Sequence, residues 1–532
     1  MLRKSIYLMQ NESVTMTDII LRRNMSIGTG AAENDGDFLN KCFIETPEYA
    51  SVSDFDDKKI ILMGRTGCGK TALIQMVGEN ADIFIQIRPD TFALQYINNI
   101  PFVNAMKEEG INLEVFYKFL WMHEITSNII KKYFENNKDT FFDQIYSKIK
   151  KNKKEEQLIS YLKDFGSLFF EEKRAEKITR EVEKQLEAEI GYRDFAKLKG
   201  VLTETQRKEI QAKTSQCINS FQINNMKRML DLFKDCTSSN KQKRIVVAID
   251  DLDQNWVDED SKYKLTNSLL DAIRFFIDIP NLKLLIAMRV DILAKIREML
   301  NRQTEKDNAF TLKINWTKNM IYDLLDRRID YLFEHKYQKK QKVSLKDIFF
   351  DKIEGENATD YIISRTMLRP RDAIAFVNLC IANADGKSSV SKDNILDAEN
   401  EFKYDRVSSL ENEWINIYPN IQVYIKSIQI LGNSFMLKDM LEVYEKIERV
   451  LLASDRENDP IVAKFLNSSK VDFVEKEKCL KALLNALFTI GVIALRERDK
   501  NIFATPNRPT LTDLDFSETS CFEIHPLFKC NN

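Results

Sequence analysis

Gly64, Gly69, Lys70 and Thr71 stand in the spacing G-x-x-x-x-G-K-T. Residues of these types at this spacing can hold a phosphate. Glycines let the backbone wrap an anion without a Cβ in the way. Loop N–H groups and the first turn of a following helix turn partial positive charge toward it. The cradle would be Gly64, Arg65, Thr66, Gly67, Cys68, Gly69, Lys70 and Thr71. Lys70 would reach the β- and γ-phosphates of a nucleotide, and the Thr71 hydroxyl would ligate Mg2+. Cys68 occupies a free position of the pattern, either as a redox-sensitive thiol or as a tolerated small residue.

Such a loop needs a carboxylate on a neighbouring strand. KRIVVAIDDLDQNW supplies candidates. Asp250 is the expected magnesium carboxylate, and Asp251 the group that polarises the attacking water. Asp253 could support either. Alone, this stretch could equally be a strand ending in an acidic turn. A third segment, NLKLLIAMRVDIL, ends in Arg289 and Asp291. Arg289 is a candidate sensor of the γ-phosphate, with ion pairing to Asp250 or Asp251 as its alternative role.

Three strands must position these groups. KKIILM, IVVAI and LKLLIAM are short apolar runs, read as buried parallel strands. TALIQMVG continues the loop as a helix. Ligands of parallel sheets sit at the carboxyl ends of the strands, where all three runs place their polar residues. The fold class expected is therefore α/β. Lys70 and Asp250 are 180 residues apart, more than a bare core needs. A helical insertion is expected over about 105–235. Within it Ile178, Val182, Leu186 and Ile190 form a narrow apolar stripe that faces either the core or another helix. The lysines of SKIKKNKKEEQ are offset by acids and read as a solvated linker rather than an anion site. IRPDTFALQY leads toward the insertion.

The chain has 532 residues and a net charge of −2, room for about three domains of ~150 residues each and no global field for nucleic acid. Eight cysteines are scattered without a CxxC pair, and three histidines lie far apart. Zinc spacing is absent, and the cysteines read as free thiols of a cytoplasmic protein. No uncharged apolar run reaches the ~18 residues of a membrane span.

In order, the loop, the strand ending IDDLD, the MRVDIL strand, INWTKNMIYDLLDRRIDYL and MLRPRDAIAFVN resemble P-loop ATPases of the KAP and STAND type, with an AAA+-like core. SIGTGAAENDGDFLNKCFIET is similar to that group's lead-in. The resemblance covers roughly 26–80 and 240–410. It implies a P-loop NTPase core with a helical lid and a C-terminal winged helix, binding ATP and Mg2+ between core and lid. Trp316 and Arg328 fall in the motif where the chain enters the lid. Arg328 is an arginine-finger candidate, or a partner in i, i+4 ion pairs. Arg371 of RPRD resembles the arginine that reaches from lid to nucleotide, and Arg369 could share that role. A capping or ion-paired arginine couple is the other reading. One departure is Asp251, where fast AAA+ motors carry glutamate. A shorter acid implies slow hydrolysis and switch behaviour.

The expected division is a lead-in at 1–45, the core at 46–310, the lid at 311–410 and a winged-helix-like domain at 411–532. In the last, MLKDMLEVYEKIERVLLA, IVAKFLN and VEKEKCLKALLNALFTI read as helices. VIALRER and NIFATP form a hairpin, and CFEIHPLF a final strand in which His525 packs. Seven basic against five acidic residues across 470–500 give a weak basic footprint. Protein docking is favoured over DNA, which stays as the alternative of an initiator- or loader-like ATPase. The resemblance further implies a bacterial defence switch against phages or mobile elements. No nuclease or protease motif is visible, so its output would come from self-association or a partner effector.

Overall fold

The computed structural model describes residues 19–529 apart from 90–99, 151–155, 172–173, 191–202, 239–242, 255, 301, 303–304, 338–341, 455–458, 468–472, 499 and 518. The chain divides into two compact units. One takes in Met1–Ile44, Thr66–Gly69 and Asn315–Asn532, the other Glu45–Arg65 and Lys70–Ile314.

The second unit is built on a five-stranded sheet of β1 (Ile61–Gly64), β2 (Ile83–Ile87), β3 (Ile245–Ile249), β4 (Leu282–Arg289) and β5 (Thr311–Lys313). The order is β2-β3-β4-β1-β5, and every pair is parallel. Parallel strands are covered on both faces, which is why these runs are apolar throughout: every residue of β1 and β3 is buried. Register pairs Gly64 with Arg289 and Ile87 with Ile249. The strand ends therefore lie along one edge. From that edge the loop runs into α1 (Lys70–Glu79). A parallel sheet with this loop and many helices fits an α/β P-loop NTPase core.

The insertion packs on that core. Helix Glu114–Tyr133 buries thirteen residues, and the Trp121 indole N–H donates to the Leu265 carbonyl at 2.9 Å. Ile178, Val182 and Leu186 are buried in the same apolar cluster as the sheet, so their stripe faces the core. Most of IRPDTFALQY, and most of the lysine group at 147–157, lie outside the described residues.

In the first unit, residues 19–44 and the segments after 315 share one apolar cluster, from Ile19 to Phe528. Thr317 caps α2 (Lys318–Tyr331) by accepting from the Met320 N–H. Pro370 opens α3 (Pro370–Asn383), where a missing N–H costs nothing. Ser391 and Asn394 form a capping box for α4 (Lys392–Trp414). Beyond lie β6 (Ser434–Met436), β7 (Ile493–Glu497), β8 (Lys500–Ile502) and β9 (Cys521–Ile524), in the antiparallel order β8-β7-β9-β6. Among the described residues, four helices lie between β6 and β7. His525 is buried, and its Nδ1 accepts from the Leu527 N–H at 3.2 Å.

Arg328, on α2, holds residues 27–35 against that helix. Its Nη1 donates to the Ile27 carbonyl at 2.9 Å and to Asp35 at 3.1 Å. The two side chains are only 4% and 2% exposed. This partner lies 293 residues away, in place of the i, i+4 pairs read from DRRID. Gly28, at φ +98°, is required beside them, because a Cβ there would sit 2.5 Å from Arg328. Breaking a buried pair strands a charge. Arg328→Leu is expected to lose about 3–5 kcal/mol of stability in urea unfolding, and Arg328→Leu with Asp35→Leu to recover much of it.

Candidate phosphate and metal site

Gly64, Arg65, Lys70 and Thr71 belong to the second unit. The Lys70 ammonium folds onto the loop, donating to the carbonyls of Gly64 at 3.2 Å and Arg65 at 2.9 Å. The Thr71 hydroxyl donates to Asp250 Oδ2 at 2.8 Å. Asp250 is 6% exposed, and its Oδ1 accepts the Asp251 N–H at 2.9 Å. A buried carboxylate thus fixes the hydroxyl of the loop while keeping acceptor capacity.

Asp251 sits next along the chain in the left-handed region, at φ +62°. Arg88, just past the end of β2, lies 3.7 Å from its carboxylate. Burial, with the charges of Asp250 and Asp253 close by, raises the Asp251 pKa above the ordinary value of 3.8, against the pull of Gln254 and Arg88. A base that holds its proton more tightly suits the task of taking one from water.

Arg289, at the tip of β4, is 14% exposed. It grips Asp291 with two bonds of 2.9 Å and reaches Asp253 at 3.1 Å. Asp253 and Asp291 are thus carboxylate partners of Arg289; the sequence offered Asp250 or Asp251.

Thr66–Gly69 belong to the first unit. Gly67 and Gly69 have φ of +77° and +90°, conformations that other residues rarely adopt. The Arg371 N–H donates to the Gly67 carbonyl at 3.3 Å. The exposed Arg371 side chain lies against Gly67, and its Nε donates to the Gly30 carbonyl at 3.1 Å. Arg369 is 2% exposed; its Nη1 donates to Glu413 at 2.9 Å and to the Thr66 carbonyl at 3.2 Å. The Trp316 indole donates to the Cys68 carbonyl at 2.8 Å.

The residues fit a nucleotide with Mg2+. The glycine conformations make a backbone cradle, and Thr71 with Asp250 is a hydroxyl and carboxylate pair. No group of three His, Cys, Asp or Glu able to cage a metal occurs among the described residues. Mg2+ in phosphate sites takes one or two carboxylates, with phosphate and water supplying the rest. Sequence reasoning missed Arg88 and Glu413. A polar residue ending IFIQIR could have flagged the first; nothing in the sequence points to the second.

Residues 319–411 match the family described as the FunZ-associated C-terminal helical domain. Over 520 residues the chain is 19% identical to the putative transposon gamma-delta 80.3 kDa protein of Escherichia coli K12, covering 96% of this chain and 67% of that one. It is also similar to the crystal structure of Cdc6p from Pyrobaculum aerophilum, at 12% identity over 88% of this chain and 84% of that chain. The TM-score there is 0.22, and the fold described above stands on its own strands. No helix of the described residues is long and apolar enough to cross a membrane.

Asp251 carries a testable cost. Its raised pKa means that ionisation destabilises the fold, a penalty absent below about pH 4 and complete once pH exceeds the folded-state pKa. Asparagine tolerates the left-handed backbone. Asp251→Asn is expected to raise Tm at pH 7, and the gain to shrink as pH falls toward 4, measured by calorimetry.

Proposed function

We propose that the chain is a Mg2+-dependent P-loop ATPase of low turnover that works as a nucleotide-controlled switch. The 2.8 Å hydrogen bond from Thr71 to Asp250 carries this reading, because it joins loop and acid across 179 residues. Lys70 exchanges its loop carbonyls for the β- and γ-phosphates. Mg2+, when bound, neutralises phosphate charge, with Thr71 and Asp250 holding it. Asp251 accepts a proton from the water whose oxygen attacks the γ-phosphorus, and the bond to the β–γ bridging oxygen breaks. Arg371, exposed and packed on Gly67, is the sensor arginine of this proposal. Arg289, held by Asp253 and Asp291, senses the γ-phosphate in competition with those carboxylates, which suits a slow switch.

KAP- and STAND-type kinship, the winged-helix reading of the C-terminal sheet and a protein partner belong to the same proposal. The partner is sought among mobile-element proteins, because the relative that matches 96% of this chain is named for a transposon.

Binding of a fluorescent mant-ATP tests the reading. Wild type is expected to bind it more tightly with Mg2+, Lys70→Ala to lose at least about 100-fold, and Asp250→Asn to lose the Mg2+ dependence. Mass photometry is expected to give different mass distributions with ATP and ADP. Absence of binding sinks the nucleotide reading. Identical distributions sink the switch, and hydrolysis stimulated by DNA in a salt-sensitive manner replaces it with the DNA-acting alternative.

A further inference from the structure

Three consecutive carbonyls of the loop apex accept hydrogen bonds from residues after 315. Thr66 takes the Arg369 Nη1, Gly67 takes the Arg371 backbone N–H, and Cys68 takes the Trp316 indole. In a trans peptide the carbonyl of one residue and the N–H of the next point in opposite directions. Each bond to the carbonyls of 66, 67 and 68 therefore turns the N–H of Gly67, Cys68 or Gly69 away from its donor. That is the geometry of a backbone anion nest, set by donors behind it.

The grip is not incidental to packing. Arg369 Nη1 lies between Glu413 Oε2 and the Thr66 carbonyl, while Nε and Nη2 are buried with no acceptor among the described residues. Unpaired buried donors are costly, so the guanidinium is held where it serves the loop at the expense of its other bonds. Glu413 is 5% exposed and is fixed in turn by Arg406, which also pairs with Asp372. All four charged side chains are buried and their formal charges cancel. The last turn of α4 is thereby wired to the backbone of the loop.

We propose that Trp316 and Arg369 are positioning residues that preorganise the phosphate-binding N–H groups by gripping the opposite face of the apex, with Glu413 setting Arg369. This rests on the nucleotide reading above. It assigns Arg369 to the back of the loop rather than to the phosphates. Preorganised donors bind an anion without first having to be ordered, so loosening the grip weakens nucleotide affinity and leaves the fold intact.

Two conservative variants test this. Trp316→Phe keeps a ring and deletes one N–H. Arg369→Lys keeps the charge for Glu413 and deletes the fork that reaches Thr66. Each is expected to weaken mant-ATP and mant-ADP binding about five- to ten-fold, the effect of one lost hydrogen bond, with Tm within 2 °C of wild type. In the nucleotide-free protein, hydrogen–deuterium exchange of the peptide containing 64–71 is expected to quicken several-fold in both. Wild-type affinity together with wild-type exchange in these variants overturns the inference while leaving the nucleotide reading standing. If wild type binds no mant-ATP, that reading falls, and the exchange rate alone decides whether the grip orders the loop: faster exchange supports it, unchanged exchange overturns it.

Discussion

Parallel pairing of four strands fixes where Arg88, Asp250 and Arg289 can be. Gly64 lies in register with Arg289, and Ile87 with Ile249, so Arg88, Asp250 and Arg289 emerge along one edge of the sheet. A one-residue slip in any of these strands would turn its side chains to the opposite face. The apolar runs that hold the register are thus a condition of the chemistry: IVVAI is buried at all five positions so that Asp250 can stand at its end. The hydrogen bond to Thr71 then needs nothing more than a helix starting at Lys70.

Buried charge pairs recur in the other unit. Arg328 with Asp35, and Arg369 and Arg406 with Asp372 and Glu413, are pairs withdrawn from water. Such pairs add little stability compared with well-packed apolar residues, but each is costly to break. Their worth is in specifying partners. Each tolerates only one arrangement of the segments it joins, whereas an apolar contact between the same segments would tolerate several.

Three of the five sheet strands were legible in sequence; β2 and β5 were not read. The three strand runs, the loop and the acid pair follow from residue type and spacing, and α1 begins one residue before the expected helix. The C-terminal hairpin was legible too, since VIALRER and NIFATP flank the polar turn DKN. The strand Ser434–Met436 was not, because three residues carry no periodic signal. The carboxylate of Glu413 and the donors behind the loop were invisible for a deeper reason. Their meaning comes from tertiary contacts across 44 to 303 residues, and no local pattern encodes such a distance. The same holds for Arg328, whose neighbours along the helix suggested a surface role.

The backbone at Asp251 bears on what this chain can become. At φ +62° the residue occupies a conformation in which short polar side chains such as Asp and Asn are favoured and longer ones strained, by about 1–2 kcal/mol. A glutamate, with its longer reach toward water, would have to carry that strain or reshape the turn after β3. The aspartate is then favoured by the main chain as much as by its chemistry. Glutamate at this position is disfavoured by the main chain but not forbidden, since Glu135 and Glu354 both stand at φ +52°.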